Sequence, residues 1–293
     1  MPELPEVETI KKGLVRLIVG KTIMQVEVHD SPKSFPNDPV LVEEFMHGAQ
    51  IISVRRRAKV LLIELSTNYS LVIHLRMTGQ LIYADQTKRF GGGHPTDSLV
   101  GALPDRFTRV VISFRDGGKL FFNDLRKFGW IKLYPTPEVE LIDFMKRVGP
   151  EPLEDATTGE VLYERLQRRK NTLIKAALLD QSVIAGVGNI YADEALWGAQ
   201  IHPSTRVRDV TKAQVIRLMD EIKAILTLAI DQGGSTDRNY TDAEGNRGNY
   251  LQFARVFRRE GKPCPRHPDV LIEKIRVAGR GTHVCPVCQP VTQ

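Results

Sequence analysis

The chain has 293 residues, of which 42% are hydrophobic and 26% are charged, a globular composition that excludes a disordered chain. No apolar run is long enough to span a membrane, and the acidic N-terminus lacks the apolar region of a secretion signal, so we expect a cytosolic protein with two domains. The net charge of +6 lies entirely after residue 246, where nine basic and three acidic residues favour a polyanionic partner such as nucleic acid.

The first half of the chain predicts a mostly β domain that begins with a helix. Apolar residues at helical spacing predict that helix over residues 7–18. Alternating or apolar runs predict strands at 22–29, 50–54, 60–65, 70–75, 108–115, 119–123 and 129–134, with a short helix at 39–47. Residues 85–106 are rich in Gly, Pro and Asp and predict a loop. The N-terminal domain therefore covers residues 1–135.

The second half of the chain predicts helices followed by a hairpin. Prolines and glycines at 135–152 predict a boundary, which a helix at 138–147 crosses. Helical patterns follow at 159–169, 172–180, 189–198 and 211–231, and the nearly apolar-free stretch 233–250 predicts a functional loop. We predict a linker at 136–152, a helical domain at 153–250 that includes this loop, and a terminal hairpin at 251–293.

The first residues carry the strongest indication of catalysis. Removal of Met1 would leave Pro2 with a secondary amine, and an α-amino group has an ordinary pKa of about 7.7–8.0, so it is an available nucleophile. Glu3 and Glu6 lie beside it and could act as general acids or bases. The alternative is structural, because proline and acidic residues also favour the first turn of a helix.

The tail contains a pattern typical of a structural zinc site. Cys264 and His267 form one pair spaced by two residues, Cys285 and Cys288 form another, and the two pairs bracket the predicted hairpin. Four ligands leave no position for water, so we expect the metal to stabilise folding rather than to act in catalysis. His283 could replace His267, and a zinc-free hairpin is the remaining alternative.

Several shorter motifs have both a functional and a structural interpretation. The glycine-rich turn before Asn189 could bind phosphate at a helix N-terminus or simply join two helices. Lys59 ends a basic run that could be a solvated edge, or it could point into a groove. Met77 and Phe128 lie in turns with a nearby arginine and could be duplex-opening wedges or ordinary core residues.

Together these motifs closely resemble the formamidopyrimidine-DNA glycosylase family. The resemblance rests on an ordered series that covers nearly the whole chain: PELPEVE, RRAK, HLRMTG, DLRKFG, GPEPL, AGVGNIYADE, IHP, GGS, VAGRGTH and CPVCQ. It implies an α+β fold of two domains, with an N-terminal β-sandwich flanked by helices and a C-terminal helix-two-turn-helix domain carrying a β-hairpin zinc finger. It also implies one structural Zn²⁺ and damaged double-stranded DNA as the partner of a monomer.

The resemblance further implies removal of oxidised purines, chiefly 8-oxoguanine and formamidopyrimidines, and strand cleavage by β,δ-elimination at the abasic site. The implied catalytic residues are Pro2, Glu3, Glu6, Lys59 and Arg280. The implied DNA-binding residues are His74, Met77, Arg109, Arg126, Phe128, Asn189 and Arg280. The implied metal ligands are Cys264, His267, Cys285 and Cys288. The loop 233–250 matches the segment that closes over an extruded base.

Two positions depart from the family pattern. His267 stands where a cysteine is usual, and zinc accepts imidazole, so we expect coordination to survive. Arg106 to Arg109 replace a histidine-rich tetrad, and we expect Arg109 to supply the phosphate contact. Competing functions are a zinc-ribbon DNA-binding protein without catalysis, a zinc hydrolase, and a glycosylase of the same fold that favours oxidised pyrimidines.

Overall fold

A computed structural model describes residues 1–94, 96–235 and 249–291. Its helices are α1 Leu4–Ile18, α2 Pro39–Met46, α3 Asp143–Arg147, α4 Gly159–Leu166, α5 Ile174–Leu179, α6 Asn189–Gly198, α7 Lys212–Asp231 and α8 Tyr250–Phe253. Its strands are β1 Ile23–Val28, β2 Ile51–Arg57, β3 Val60–Leu65, β4 Tyr69–His74, β5 Gly79–Ala84, β6 Arg89–Gly93, β7 Thr108–Phe114, β8 Lys119–Asp124, β9 Trp130–Pro135, β10 Glu273–Val277 and β11 Arg280–Val284. No described helix is long and apolar enough to cross a membrane.

The chain divides into two compact units. The first comprises Met1–Lys146 and the described residues of Gln232–Asn249, and the second comprises Arg147–Asp231 and the described residues from Tyr250 onward. Five short 3-10 turns connect the described elements, and the one at Thr136–Leu141 precedes α3. The single helix predicted over 138–147 is therefore wrong, because the backbone of Ile142 is extended and separates the two short helical pieces.

The first unit is a sandwich of two antiparallel sheets, as expected. One sheet has the order β1-β7-β8-β5-β6 and the other has the order β2-β3-β4-β9. Alternate side chains of both sheets point into one shared core with α1, and Leu61 and Ile63 of β3 meet Ile112 and Phe122 there. Because strand side chains alternate, the neighbouring Val60 and Leu62 face outward and pack under the segment after β9.

Strands β5 and β6 were missing from the sequence prediction, and the loop predicted at 85–106 is wrong where β6 lies. Strand β5 is buried on both faces, so it shows no polar alternation. Strand β6 ends in three glycines, and packing requires the absence of a side chain at two of them. A Cβ at Gly91 would lie 2.8 Å from Leu99 Cδ2, and a Cβ at Gly93 would lie 2.3 Å from the carbonyl oxygen of Gly79. The glycines that made this segment look like a loop are instead required for close packing of a strand.

The second unit joins helices to a terminal hairpin. Helices α4 and α6 pack against α7, and α6 also contacts β11. Strands β10 and β11 pair in antiparallel register from Glu273–Val284 to Val277–Arg280, across a turn in which Ala278 and Gly279 have positive φ. Helices α4, α5, α6 and α7 and the hairpin match the sequence prediction, because each has a periodic pattern bounded by turn residues, whereas the short helix α8 was not predicted.

Candidate active site and nucleic-acid interface

The start of α1 brings the two predicted carboxylates together. Glu3 is the N-cap residue, and its amide N–H donates to Glu6 Oε2 at 2.8 Å. The amide of Glu6 donates in return to the Glu3 side chain, which completes a capping box. This reciprocal cap explains why the helix begins at Leu4, three residues earlier than the apolar pattern predicts. Both carboxylates are buried, with exposures of 3% and 7%.

The second oxygen of Glu6 is held by a segment that is distant in sequence. Its Oε1 accepts hydrogen bonds from the amide of Ser235 at 2.8 Å and from Ser235 Oγ at 2.9 Å. Gly234 has φ of +86°, and a Cβ there would lie 3.1 Å from Glu6 Oε1, so glycine permits this close approach. The sequence singled out Gly-Gly-Ser only as a family motif. Most of the predicted loop 233–250 lies outside the described residues.

Lys59 lies in the same buried environment rather than on a solvated edge. Burial lowers the pKa of its ammonium, whereas the negative charges of Glu3 and Glu6 raise it. Two arginines of the preceding basic run instead form ion pairs, Arg55 with Glu64 and Arg56 Nε with Glu8 Oε2 at 2.8 Å. The basic run therefore combines arginines that form ion pairs with a final lysine, Lys59, that lies near Glu3 and Glu6.

The terminal amine completes this group. Burial lowers the pKa of the Met1 amine, Glu3 and Glu6 raise it, and Lys59 lowers it. The amine is thus close enough to both carboxylates and to the lysine to feel their charges. Pro2 is itself buried, and removal of Met1 would transfer the amine to it. A lowered pKa favours the neutral amine, which is the nucleophilic form.

His94 is a nearby residue that the sequence analysis missed. Its amide donates to the carbonyl of Gly79 at 3.2 Å, directly after β6. Strand β6 lies along α1, where the Phe90 ring fills the space beside Gly13. Burial lowers the pKa of His94, and the positive terminal amine lowers it further. Its place in a stretch predicted to be a loop gave no indication of this position.

His74 is fixed in a single tautomer. Its Nδ1 accepts a hydrogen bond from the amide of Arg76 at 3.0 Å, so the proton of the neutral ring is on Nε2. Burial, followed by the charges of Arg76 and Lys59, lowers the pKa of His74 to about 3. The imidazole is therefore neutral near pH 7 and can donate Nε2–H to an acceptor such as a phosphate oxygen.

The two turns predicted to carry wedge residues lie at neighbouring strand ends. Strand β4 ends at His74 and β8 ends at Asp124, and Arg76 and Lys127 have positive φ in the turns that follow. Phe128 is 53% exposed, so it is not a core residue, and Met77 is half-buried. The exposed guanidinium of Arg126 lies 4.7 Å from the centre of the Phe128 ring. An exposed apolar side chain with an arginine beside it suits contact with bases.

Arg109 lies in a different environment from the one predicted. Its side chain is only 4% exposed, Nε donates to the carbonyl of Asp124 at 3.0 Å, and Nη1 lies 3.6 Å from Asp30 Oδ2. Lys127 Nζ also contacts Asp30 Oδ2, at 2.9 Å. Arg109 therefore supports the turn that carries Phe128, and its predicted phosphate contact stays a prediction.

In the second unit, the structure brings Asn189 and Arg280 into the same neighbourhood. Asn189 is the first residue of α6, and its Nδ2 donates to the carbonyl of Gly281 at 3.1 Å. Lys175 Nζ donates to the same carbonyl at 3.2 Å and forms a fully buried ion pair with Asp193 Oδ1 at 2.6 Å. These contacts attach β11 to the helices and fix the backbone beside Arg280, which is exposed.

The four predicted metal ligands form one cluster. The ligand atoms of Cys264, His267, Cys285 and Cys288 all lie within 4.8 Å of one another. Three thiols and one imidazole form a typical closed zinc set, so the residues fit the metal. His283 is not a ligand, because its Nδ1 contacts Asp193 Oδ2 at 3.1 Å and its Nε2 contacts Glu260 Oε2 at 3.2 Å. The cluster therefore favours a zinc site over the zinc-free alternative and includes His267 rather than His283.

Comparison with known proteins agrees with each of these parts. Residues 1–131 match the family described as "Formamidopyrimidine-DNA glycosylase N-terminal domain", and residues 148–241 match the H2TH domain of the same enzymes. Residues 270–291 match the family described as "Zinc finger found in FPG and IleRS". This chain belongs to the formamidopyrimidine-DNA glycosylase family. Similar family members occur in Pelotomaculum thermopropionicum, at 43% identity over 99% of this chain and 100% of the relative, and in Pediococcus pentosaceus, at 41% over 99% of both.

Solved structures of formamidopyrimidine-DNA glycosylases show the same fold. The Lactococcus lactis enzyme in complex with DNA that contains an abasic site has a TM-score of 0.87 and 34% identity. A variant of that enzyme bound to DNA that contains Fapy-dG has a TM-score of 0.87 and 35% identity. Both matches cover 99% of this chain and 100% of the other. These matches confirm the predicted α+β fold, and the zinc-finger match together with the four-residue cluster supports the predicted structural zinc site.

Proposed function

We propose that this protein removes oxidised purines from duplex DNA and then cuts the strand at the resulting abasic site. The observation that carries the proposal is the buried group at the start of α1, where the terminal amine, Glu3, Glu6 and Lys59 lie within range of one another's charges. Relatives at about 40% identity bear the name formamidopyrimidine-DNA glycosylase, and solved structures of the family contain abasic and Fapy-dG DNA.

The proposed chemistry begins at the amine of Pro2, which becomes the N-terminus once Met1 has been removed. The nitrogen lone pair forms a bond to C1′ of the damaged nucleotide, and the bond from C1′ to the purine breaks with its electrons leaving on the base. The attacking nitrogen loses its own proton, and the departing base gains one. Glu3 gives a proton to the ring oxygen O4′, which opens the sugar and leaves an iminium between Pro2 and C1′. Loss of a proton from C2′ then expels the 3′-phosphate, and a second elimination expels the 5′-phosphate.

Glu6 and Lys59 support this chemistry in the proposal. Glu6 uses both carboxylate oxygens, one on the Glu3 amide and one on Ser235, so it fixes the backbone from which Glu3 projects. Lys59 is a buried amine of lowered pKa that can exchange a proton with its neighbours.

Base excision requires the damaged nucleotide to leave the stack, which costs a few kcal/mol. In the proposal, Met77 and Phe128 occupy the space that the nucleotide vacates, and Arg126 contacts the base opposite. His74, Asn189 and Arg280 bind phosphate oxygens, and the zinc hairpin orders Arg280. When bound, zinc supplies folding energy and no reactive water, because all four ligand positions are occupied by protein.

We further propose that the protein acts as a monomer on DNA in the cytoplasm, since one chain supplies every residue that the chemistry requires. A zinc hydrolase is disfavoured by the closed ligand set. The remaining alternative is the same reaction on oxidised pyrimidines, which uses the same amine and the same carboxylates.

A panel of duplexes, each with one lesion, tests the proposed substrate class. We expect the purified protein to excise 8-oxoguanine and formamidopyrimidine opposite cytosine at least about tenfold faster than an oxidised pyrimidine, since a base-specific pocket discriminates by about 1–3 kcal/mol or more. The cleaved strand should carry phosphate at both ends of a one-nucleotide gap. Faster excision of the pyrimidine would favour the alternative, and binding without excision would favour a DNA-binding protein that lacks catalysis.

A further inference from the structure

A buried contact joins the two turns that carry the exposed wedge side chains. Thr78 belongs to the turn 74–79 that contains Met77, and Asp124 begins the turn 124–129 that contains Arg126 and Phe128. Thr78 Oγ1 donates a short hydrogen bond to Asp124 Oδ1, and the two residues are 46 positions apart in sequence. Exposure is 6% at Thr78 and 0% at Asp124, so water does not compete for this contact.

The Thr78 hydroxyl and the Asp124 carboxylate also hold the second turn at both ends. The amide of Arg126 lies 3.0 Å from Thr78 Oγ1 and 3.1 Å from Asp124 Oδ1, and the amide of Gly129 donates to Asp124 Oδ2 at 2.6 Å. Strand pairing places Gly79 opposite Asp124, at the point where both turns leave the sheet. The backbone on either side of Phe128 is thereby tied to a single carboxylate.

The backbone carbonyl of Asp124 holds the second turn by a third hydrogen bond. It accepts the hydrogen bond from Arg109 Nε, and Arg109 in turn approaches Asp30, which also binds Lys127. A Cβ at Gly129 would lie 3.1 Å from Asp124 Oδ2, so glycine at this position allows the carboxylate to reach the amide. The Asp124 side chain is fully buried and has a hydrogen-bond donor on each of its oxygens.

We propose that Thr78 and Asp124 are positioning residues that hold the turns 74–79 and 124–129 in a fixed relative position. Through this contact they determine how strictly the enzyme recognises the base opposite the lesion. This inference rests on the proposed function, because it assigns a purpose to the contact between Arg126 and that base. A hydrogen bond to a base edge discriminates only when its donor is held in place, since a mobile guanidinium can reach alternative acceptors. The Thr78 hydroxyl is the only side chain of the first turn that bonds both to Asp124 and to the Arg126 amide in the described contacts.

The test compares Thr78→Val with Thr78→Ser. Valine keeps the shape and removes the hydroxyl, whereas serine keeps the hydroxyl and removes only the methyl group. Single-turnover excision of 8-oxoguanine is measured opposite cytosine and opposite adenine with the same preparation, and the ratio of the two rates is reported. Because both rates contain the same active fraction, a partly unfolded variant does not change the ratio.

We expect Thr78→Val to reduce the ratio of cytosine to adenine about tenfold, the usual scale for leaving buried hydrogen-bonding groups unpaired. Thr78→Ser should stay within about twofold of the wild type, since it retains the hydrogen bond. The variant Arg126→Ala is the reference, and it should reduce the ratio at least as much as Thr78→Val. Excision from a duplex with a gap opposite the lesion should be similar for the wild type and Thr78→Val.

Three results would overturn the inference while leaving the proposed function intact. One is an unchanged ratio in Thr78→Val when Arg126→Ala reduces it. Another is equal loss in Thr78→Val and Thr78→Ser, which would assign the effect to packing of the methyl group. The third is a wild-type enzyme that excises the lesion equally well opposite both bases. Absence of excision by the wild type on every duplex would instead reject the proposed function.

Discussion

Replacing Glu3 with glutamine is expected to slow base release about 10²- to 10⁴-fold, which is the usual contribution of a positioned general acid or base. Glutamine has nearly the same size and can still accept the hydrogen bond from the Glu6 amide, so α1 should retain its cap. It cannot deliver a proton to the sugar oxygen. Single-turnover kinetics on a duplex with one 8-oxoguanine would measure the effect.

Glu8→Gln is the matched control for Glu3→Gln. Glu8 lies on the same helix, where it forms ion pairs with Lys11 at 2.9 Å and with Arg56 at 2.8 Å. Loss of these contacts is expected to lower stability by about 1 kcal/mol, because they are partly exposed. Base release should change less than about threefold in the same comparison. Equal activity of Glu3→Gln and the wild type would remove Glu3 from the chemistry.

Removal of one zinc ligand is expected to have the second large effect. In Cys288→Ser the metal content should fall from one zinc per chain to a small fraction, since the ligand set contributes about 10–16 kcal/mol to zinc binding. The cluster shares a buried core with Trp197, Val256 and Ile272, so its loss should disorder the hairpin. Loss of one charge-assisted phosphate contact costs about 1.5–3 kcal/mol, so we expect DNA affinity to fall about 10- to 100-fold.

His283→Gln separates zinc coordination from general packing. His283 is 3% exposed and contacts Asp193 and Glu260, so its substitution perturbs the hairpin without removing a ligand. Elemental analysis should find one zinc per chain in His283→Gln and almost none in Cys288→Ser or His267→Ala. Full zinc content in His267→Ala, together with loss of zinc in His283→Gln, would show that His283 is the metal ligand and that His267 is not.

The sequence predicted the site best where the interacting residues are close together along the chain. Glu3 and Glu6 are three positions apart and each pair of zinc ligands is spaced by two residues, so short motifs were enough to single out both groups, although the capping box between Glu3 and Glu6 was not predicted. The helices of the second unit also followed from local periodicity. The same logic failed for β6, where glycines needed for packing against Leu99 and β5 have the composition of a loop.

Contacts between distant segments could not be predicted from spacing. Ser235 bonds to Glu6 across 229 positions, and the charge of the terminal amine lowers the pKa of His94, which follows a strand that packs along α1. Arg109 was expected at a phosphate, yet its guanidinium binds the carbonyl of Asp124. In each case the tertiary fold determines which groups the side chain contacts. Residue type alone does not distinguish a buried structural hydrogen bond from a contact with a ligand.

Borohydride trapping tests the central claim that the terminal nitrogen of Pro2 attacks the damaged nucleotide. The wild-type protein is mixed with a duplex containing 8-oxoguanine, and reduction should convert the iminium into a stable amine that links protein and DNA. After proteolysis, mass spectrometry should locate the link on the peptide that begins with Pro2, in protein whose intact mass lacks Met1. A link on Lys59, or turnover by protein that retains Met1, would contradict the account.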